Sequence, residues 1–454
     1  MWMRSCVGTR GNPRRVVVGL SIPRRARLNE NVKGTCGVEI WRQKGSSWED
    51  VKHNNVAVVL GAIRRFGPIS RTELAEMTDL TSGTITNVTS LLLELGLISE
   101  AGSAASRGGR KRVLLKLRED AFLSIGVEIS RQHVFGVLAN LDGKVVSRAE
   151  EPTKTGEGPA QTITRVVQII TRFREDARRL GYPVIGAGIG VPGPVKTEEG
   201  IVTTPPNFPG WRWIRLKDQI ESRTGLKVFI DDDARTAALG EAWFGAGRDA
   251  QSLVYISVGS GIGAGVVVRG RLYQGVRGLA GQIGHTSVDP HGARCECGNV
   301  GCLELFAAAP GIVRQARERL RAGEPSVLAE YEEAGDLTIN RICKSAEAGD
   351  LVAVSVMETA CTYLGTGVAN VINAYDPEMI ILGGSLVRAY DILVDRVRAI
   401  AHERSFVHGG ESTQIVRSKL GKDVSAIGAV ALVLERFFGD PLGALAQVGL
   451  GDPA

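Results

Sequence analysis

The chain has 454 residues, which is longer than one ordinary domain, and 43% of them are hydrophobic. Together with a mean hydropathy of +0.02, this predicts a soluble protein with two or three cores. No run approaches the roughly 18 uninterrupted apolar residues of a membrane span, so the composition excludes an integral membrane protein and predicts a cytoplasmic location. The net charge of +6 is modest, but lysine and arginine concentrate in the first 118 residues, where a nucleic-acid contact would need them.

Residues 1–47 carry ten lysines and arginines against only two acidic residues, Glu30 and Glu39. Without a sustained apolar period the segment cannot offset its own ordering entropy, so we predict a disordered basic arm. Such an arm either adds contacts to phosphates or reflects a translation start placed too early. The sequence leaves both interpretations open.

The first predicted helix runs from residue 52 to residue 66 and ends at the pair Gly67-Pro68, because proline cannot continue a helix. Its apolar residues recur at helical spacing and face inward: Val56, Val59, Leu60 and Ile63. This helix begins a predicted domain over residues 48–118.

Two further helices complete the predicted bundle. Ser70 caps a short helix, residues 70–80, in which Leu74 and Met77 are expected to face inward. Thr81 caps a third helix whose predicted inward residues are Ile85, Val88, Leu92 and Leu95.

The outer face of the third helix carries small hydroxyls and an amide without charges: Ser82, Thr84, Thr86, Asn87 and Ser90. Such a face suits a helix whose amino-terminal end enters the major groove of DNA and reads base edges. An ordinary surface helix would more often carry Glu and Lys there. A generic three-helix bundle is the alternative interpretation.

Two short strands, residues 97–100 and 113–117, are predicted around a loop with two glycines, Gly108 and Gly109. The loop also carries four cations: Arg107, Arg110, Lys111 and Arg112. Glycines allow a close approach to a duplex, and the cations neutralise phosphates or enter the minor groove. The pattern predicts a winged helix-turn-helix, and a flexible basic linker is the alternative.

From Phe122 onward, glycine-rich strand turns alternate with helical stretches, which predicts an α/β fold of two lobes around a cleft. The predicted helices lie at residues 216–224, 311–322 and 351–375, and predicted strands lie at 228–230 and 379–382. After Phe438 the sequence is rich in small residues, so we predict a flexible tail over residues 439–454.

Three cysteines and a histidine lie close together within residues 281–304. Cys295, Cys297 and Cys302 have spacings that let thiolates close around one tetrahedral Zn²⁺, and His285 is the expected fourth ligand. The site would be closed and therefore structural. A disulfide is the alternative, but three clustered cysteines leave one unpaired and the chain shows no secretory context.

This stretch, His285 followed by CECGNVGCLE, resembles the zinc signature of the ROK family of bacterial repressors, uncharacterised reading frames and sugar kinases. The resemblance implies an actin-like, ribonuclease H-like two-lobed ATPase fold, with a sugar-binding ROK domain over residues 121–438. It also implies an amino-terminal winged helix-turn-helix, classed as all-α, and a histidine that binds both the metal and a sugar hydroxyl.

The resemblance further implies a set of sugar-binding residues: Asn207, Asp232, Asp233, Gln282, His285 and Glu304. Asp233 matches the carboxylate that acts as general base in the family's kinases. Three positions depart from the kinase pattern, because Asp232 replaces Asn, Gln282 replaces Glu, and Arg235 replaces a small or amide residue. The alternative is that residues 231–233 simply cap the following helix.

The first phosphate loop also departs from the kinase pattern. Glu128 stands where the kinases have Asp, and Ser130 and Arg131 add side chains where the backbone should be bare. The second loop, residues 259–263, and the glycines at 383 and 384 are retained, but glycine-rich loops alone are weak evidence. We therefore expect that ATP no longer fits.

The sequence predicts a sugar-responsive DNA-binding transcriptional regulator, most simply a repressor of carbohydrate uptake or catabolic genes. Its expected partners are operator DNA, a sugar or sugar-phosphate effector, and further copies of itself in a homodimer or homotetramer. One alternative is an ATP-dependent, glucokinase-like sugar kinase with an appended DNA-binding module. Another is a carbohydrate-binding protein whose amino-terminal module contacts other proteins.

Overall fold

The computed structural model describes residues 47–104, 112–205, 208–406, 413–447 and 449. Several predictions lie outside these described residues: the basic arm up to residue 46, the loop cations Arg107, Arg110 and Lys111, the amide Asn207, and the last residues of the predicted tail. The described part belongs to one compact unit, Ser47–Ala454.

The amino-terminal module contains the three predicted helices and the two predicted strands, together with a third strand that the sequence did not suggest. Its elements are α1 (Trp48–Phe66), β1 (Ile69–Ser70), α2 (Arg71–Thr78), α3 (Ser82–Glu94), β2 (Ile98–Ala104) and β3 (Arg112–Leu117). Ser47 and Ser70 form capping boxes, and Thr81 caps α3 as predicted. The strands form a sheet in the order β1-β3-β2, so the all-α class describes only the helices.

The predicted core of this module is confirmed, except that Leu95 is half-buried against it and Met77 lies outside it. Val56, Leu60, Leu74 and Ile85 are completely buried. Met77 is 49% exposed, so the prediction that it faces inward is wrong. The short helix α2 ends at Thr78, and packing against α1 and α3 leaves room for only one face of it.

The first lobe is built on a five-stranded mixed sheet in the order β11-β7-β4-β5-β6. Its elements are β4 (Leu123–Ile129), β5 (His133–Asn140), β6 (Val145–Pro152), a 3-10 turn (Thr155–Glu157), α4 (Pro159–Leu180), β7 (Val184–Val191), β8 (Val195–Lys196), β9 (Ile201–Val202), β10 (Ile214–Arg215), α5 (Leu216–Thr224), β11 (Val228–Asp232) and α6 (Asp233–Phe244). The core beneath the sheet includes Phe173 of α4 and Ile189 of β7.

The second lobe repeats this arrangement with a sheet in the order β14-β13-β12-β15-β16. Its elements are β12 (Leu253–Val258), β13 (Ile262–Val268), β14 (Arg271–Tyr273), a 3-10 turn (Ile283–His285), α7 (Glu304–Ala307), α8 (Ala309–Arg321), α9 (Leu328–Glu333), α10 (Ile339–Glu347), α11 (Leu351–Tyr375), β15 (Met379–Gly383), α12 (Ser385–Ala389), α13 (Leu393–Arg404), β16 (Gln414–Arg417), a 3-10 turn (Gly421–Asp423), α14 (Val424–Gly439) and α15 (Pro441–Gln447). Both sheets pair their first three strands antiparallel and their next two parallel to the first. The predicted two-lobed α/β architecture is therefore present as a duplication.

Two helices cross from one lobe to the other. Helix α6 directly follows the sheet of the first lobe but packs mainly on β12 and β13 of the second lobe. Helix α14 follows the sheet of the second lobe and packs on β4 and β7 of the first. The two helices also pack extensively against each other, so they form the connection between the lobes.

Helix α11 is, by length and composition, long and apolar enough to cross a membrane. More than half of its most apolar stretch is buried inside the protein, and residues such as Val356, Leu364 and Val368 belong to the core of the second lobe. Burial in this core accounts for the apolar composition of the helix.

The prediction of a flexible tail from residue 439 is wrong for Pro441–Gln447, which form α15. Leu442 and Leu445 are buried there, in the same apolar cluster as α1 and the end of α14. Proline suits the first turn of a helix, and two leucines three residues apart give it one apolar face. Helix α15 therefore joins the amino-terminal module to the first lobe.

Candidate functional site

The four predicted metal ligands come together in one cluster. The ligand atoms of His285, Cys295, Cys297 and Cys302 all lie within 4.8 Å of one another. Cys297 Sγ lies 3.7 Å from Cys302 Sγ, and Cys295 Sγ lies 3.8 Å from His285 Nδ1. A disulfide has a sulfur–sulfur bond of about 2.05 Å, so the predicted alternative of a disulfide does not describe these thiols. Separations near 3.7 Å are those of ligands around a tetrahedral ion with bonds of about 2.3 Å, so the cluster can hold a metal ion.

Backbone hydrogen bonds hold this knuckle closed. The amide of Cys295 donates to the carbonyl of Asn299 at 2.8 Å, and the side-chain amide of Asn299 donates to the carbonyl of His285 at 3.0 Å. Gly298 and Gly301 both have positive φ angles, which the tight turns between the cysteines require. The spacing of cysteines in the sequence therefore becomes a fixed geometry.

Glu304 connects the cluster to the rest of the site. Its Oε1 lies 3.3 Å from both His285 Nδ1 and Cys295 Sγ, and its other carboxylate oxygen lies beside Gly261. Glu304 begins α7 directly after the knuckle, so the cluster fixes where this carboxylate stands. Nδ1 is the ring nitrogen of His285 that lies beside this carboxylate and Cys295 Sγ.

Burial raises the pKa of Cys295 to about 12 and also raises the pKa of Cys302. Both thiols are therefore protonated at neutral pH unless a cation stabilises their thiolates. A divalent ion removes those protons when it binds, which is the usual behaviour of cysteine ligands.

The three consecutive aspartates at the start of α6 have different roles. Asp232 caps the helix, because its Oδ1 accepts hydrogen bonds from the amides of Ala234 and Arg235 at 3.0 and 3.3 Å. The capping alternative thus holds for Asp232, while Asp233 is the first helical residue and is only partly buried. Burial, followed by the charge of Asp233, raises the pKa of Asp232 to about 7, and burial also raises the pKa of Asp233.

Asp231 is completely buried and organises a network that the sequence did not reveal. Its Oδ1 accepts a hydrogen bond from Arg235 Nε at 2.6 Å, and its Oδ2 accepts one from Gln274 Nε2 at 3.0 Å. Arg235, also buried, donates to the carbonyl of Gly278 at 2.6 Å. The network ties α6 to the loop that leads into the knuckle. Asp231 lies at the end of β11 and Arg235 in the first turn of α6, so helical spacing gives no signal for this pair.

The start of α6, the turn that contains His285, and Glu304 all lie near the beginning of strand β13. Gly263 packs against Ala234 at the start of α6, while Gly284 packs against the carbonyl of Ile262. Gln282 immediately precedes the 3-10 turn that contains His285. Asp233, Gln282, His285 and Glu304 therefore all belong to segments packed around the beginning of β13.

The hairpin between β4 and β5 satisfies its own backbone. Ser130 Oγ accepts hydrogen bonds from the amides of Gln132 and His133 at 3.4 and 3.1 Å and donates to the carbonyl of His133 at 3.0 Å. Glu128 precedes this hairpin, and burial, followed by the charge of Asp233, raises its pKa to about 8. The amides of Gln132 and His133 are thus already hydrogen-bonded, and the carboxyl of Glu128 is neutral at pH 7.

The outer face of α3 lies largely open to solvent. Ser82, Thr86 and Asn87 are exposed, as is Arg112 at the start of β3. Thr84 is only partly exposed, because its hydroxyl lies 2.9 Å from that of the capping Thr81. Three of the four predicted contact side chains on α3 are therefore available to a partner.

Residues 124–436 match the sequence profile of the ROK family. The xylose repressor of Caldicellulosiruptor bescii is 31% identical over 391 residues, which cover 86% of this chain and 98% of that protein. The DNA-binding transcriptional dual regulator NagC of Escherichia coli K12 is 34% identical over 384 residues, which cover 84% of this chain and 93% of that protein.

Among solved structures, this chain is similar to a ROK family transcriptional regulator described as a homolog of the E. coli MLC protein. The TM-score is 0.76 at 33% identity, and the match covers 88% of this chain and 100% of that one. These similarities confirm the predicted family resemblance and the actin-like fold with a helical module in front.

Proposed function

Because this chain belongs to the ROK family, we propose that it is a sugar-responsive transcriptional regulator that represses genes of carbohydrate uptake or catabolism. The observation that carries this proposal is how much of each repressor's length the match with this chain covers. The matches span 98% and 93% of the relatives' own lengths, so they include the DNA-binding module as well as the ligand domain. The proposed site of action is the cytoplasm, where operator DNA and sugar metabolites meet.

The proposed sugar site lies around the beginning of β13. Asp233, Gln282, His285 and Glu304 would accept hydrogen bonds from sugar hydroxyls, together with Asn207, which lies outside the described residues. A polyol needs several acceptors on a rigid frame, because each hydroxyl loses its water when it binds. Asp232 would contribute by capping α6 and thereby orienting Asp233.

We propose zinc as the ion of the knuckle, held by His285, Cys295, Cys297 and Cys302. Three thiolates and an imidazole form a ligand set typical of structural zinc sites without an open position. When bound, the ion supplies a rigid cross-link between the knuckle and the turn that contains His285. The knuckle would thereby position His285 and Glu304 for the proposed sugar.

DNA binding would use α3 as the recognition helix. Ser82, Thr84, Thr86 and Asn87 would contact bases or phosphates from the major groove. Arg107, Arg110, Lys111 and Arg112 would contact phosphates from the wing. Two copies of the chain, in a homodimer or homotetramer, would bind a palindromic operator.

Kinase activity is the second candidate, and the first phosphate hairpin argues against it. A kinase needs bare amides for phosphate oxygens and an ionised carboxylate for Mg²⁺. Here Ser130 occupies the amides of Gln132 and His133, and Glu128 is protonated at neutral pH. We therefore propose that the sugar acts as an effector and not as a substrate. The effector acts by binding one conformation of the protein more tightly than the other.

The decisive experiment uses the full chain and a duplex operator selected from a random-sequence pool. We expect tight binding that weakens steeply between 50 and 200 mM salt, as phosphate contacts require. In a panel of xylose, glucose, N-acetylglucosamine and the hexose 6-phosphates, at least one compound should change operator affinity. A coupled ADP assay over the same panel should give no turnover. Absence of DNA binding at low salt, or turnover that disappears in Asp233→Asn, would contradict the proposal.

A further inference from the structure

Helices α6 and α14 cross at two glycines, where their backbones approach closely. A Cβ atom at Gly428 of α14 would collide with the carbonyl of Thr236, and one at Gly240 of α6 would crowd Val424 and Gly428. At the same crossing, Thr236 Oγ1 lies 3.0 Å from Ser425 Oγ. The two helices are therefore closely packed at this crossing, and a shift of one would disturb the other.

Helix α6 begins at the proposed ligand site. Asp232 caps α6 and Asp233 is its first residue, so a ligand held by Asp233 would act on this end of the helix. The buried pair of Asp231 and Arg235 holds the same end of the helix to the loop before the knuckle.

The opposite ends of both helices carry an aromatic cluster. Its members are Trp243 and Phe244 of α6 and Phe437 and Phe438 of α14. The rings of Trp243 and Phe438 lie 6.1 Å apart, and those of Phe437 and Phe438 lie 5.3 Å apart. The cluster therefore includes residues from both crossing helices.

One residue of the amino-terminal module sits on this cluster. The guanidinium carbon of Arg64, in the last turn of α1, lies 3.6 Å from the centre of the Trp243 ring and 5.0 Å from that of Phe438. A guanidinium over the face of an indole is a favourable cation–π contact. The neighbouring Arg65 is exposed and, among the aromatic rings of the described residues, lies over that of Phe66 in its own helix.

Helix α1 carries the rest of the module with it. Leu60 and Ile63 of α1 are buried in the same core as Ile85 and Leu92 of α3. A change in the position of α1 therefore moves the proposed recognition helix.

We propose that Arg64, seated on Trp243 and Phe438, is the junction through which ligand occupancy at the start of α6 alters the placement of the DNA-binding module. The inference rests on the proposed function and adds a named connection between its two sites. Arg64 acts as a positioning residue, since it contacts neither the proposed sugar site nor the proposed DNA surface.

The test compares Arg64→Gln with Arg65→Gln, which removes the same charge from the same helix turn. Operator affinity is measured by fluorescence anisotropy with and without the sugar from the panel that raises the wild-type melting temperature most. Coupling between two sites commonly amounts to about 5- to 150-fold in affinity. We expect Arg64→Gln to bring that factor close to one, and Arg65→Gln to retain the wild-type value.

Two measurements separate a lost junction from a lost fold. The sugar-induced rise in melting temperature should persist in Arg64→Gln, and so should its operator binding without sugar. Trp243→Phe, which keeps an aromatic ring under the guanidinium, should retain part of the response. If the wild type itself shows no sugar response, the proposed function fails. If the wild type responds and Arg64→Gln responds equally, the junction is overturned.

Discussion

The proposed sugar site around β13 and the hairpin between β4 and β5 lie in different lobes, and their polar groups are used differently. Around β13, Asp233 is the first residue of α6 after the capping Asp232, and Glu304 lies beside His285 of the knuckle. In the β4–β5 hairpin, Ser130 binds the amides that a phosphate would use. The hairpin thus satisfies its own amides. The proposed function therefore requires binding groups around β13 and none from the hairpin.

The largest expected effect comes from the knuckle. Cys302→Ser removes one ligand of the proposed zinc ion and should abolish stoichiometric metal, because a buried site with three ligands binds far more weakly. Sugar-induced stabilisation should disappear with it, as His285 and Glu304 lose their common support. Metal content by plasma emission and thermal shift measure the two outcomes.

Cys343→Ala is the matched control for Cys302→Ser, because this buried cysteine lies outside the cluster. It should retain metal and sugar response with a modest loss of stability. Full metal content in Cys302→Ser would show that the knuckle does not hold the ion that supports the proposed sugar site.

The next largest effect concerns the buried ion pair of Asp231 and Arg235 at the start of α6. Arg235→Ala leaves the carboxylate of Asp231 buried without its cation, which should lower the free energy of unfolding by about 3 to 5 kcal/mol. Denaturant titration measures this loss. Arg248→Ala, which breaks an exposed pair with Asp142 at 3.8 Å, should cost no more than about 1 kcal/mol. Equal losses in the two variants would show that the buried network does not support the site.

A smaller change tests the ligand contact directly. Asp233→Asn exchanges a charged acceptor for a neutral one and should weaken sugar affinity about 10- to 100-fold, equivalent to the roughly 1.5 to 3 kcal/mol of a charged hydrogen bond. Isothermal titration calorimetry measures the affinity, and operator binding without sugar should not change. Asp249→Asn, an exposed aspartate beyond the end of α6, serves as control. Unchanged sugar affinity in Asp233→Asn would place the ligand elsewhere.

The last expected effect concerns the stability that Glu128 contributes in the hairpin between β4 and β5, and it depends on pH. Glu128 has its pKa raised from 4.5 to about 8, so ionising it costs stability as the pH rises through this window. Below pH 4.5 the carboxyl is neutral in both folded and unfolded chains, and the cost is absent. Glu128→Gln should therefore be more stable than the wild type at pH 8, and the two should be nearly equal at pH 4.5. Melting curves across pH 4.5 to 8.5 measure the difference, and a constant offset would contradict the assignment.

Local patterns in the sequence predicted the elements well. The predicted helix at residues 351–375 matches α11, and the capping residues Ser70 and Thr81 were identified because N-caps depend on near neighbours alone. The cysteine cluster was equally accessible, since its three thiols lie within eight residues of one another.

Features that depend on distant packing were missed. Met77 has apolar character but no partner helix on its side, and α15 gains order only from α1 and α14. The position of Arg64 over Trp243 joins residues far apart in the chain, and no periodicity in either segment indicates it. The role of Asp232 was left between two alternatives, because a cap and a ligand contact require the same carboxylate.

The exchange of α6 and α14 between the sheets bears on how the protein is assembled. Each half of the chain ends in a helix whose apolar side belongs on the other half, so a cut near residue 250 would separate two incomplete fragments. Neither fragment could bury this apolar surface alone, and the two would have to associate before either became soluble. The lobes should accordingly melt together in a single calorimetric peak, as one cooperative unit built from two copies of the same plan.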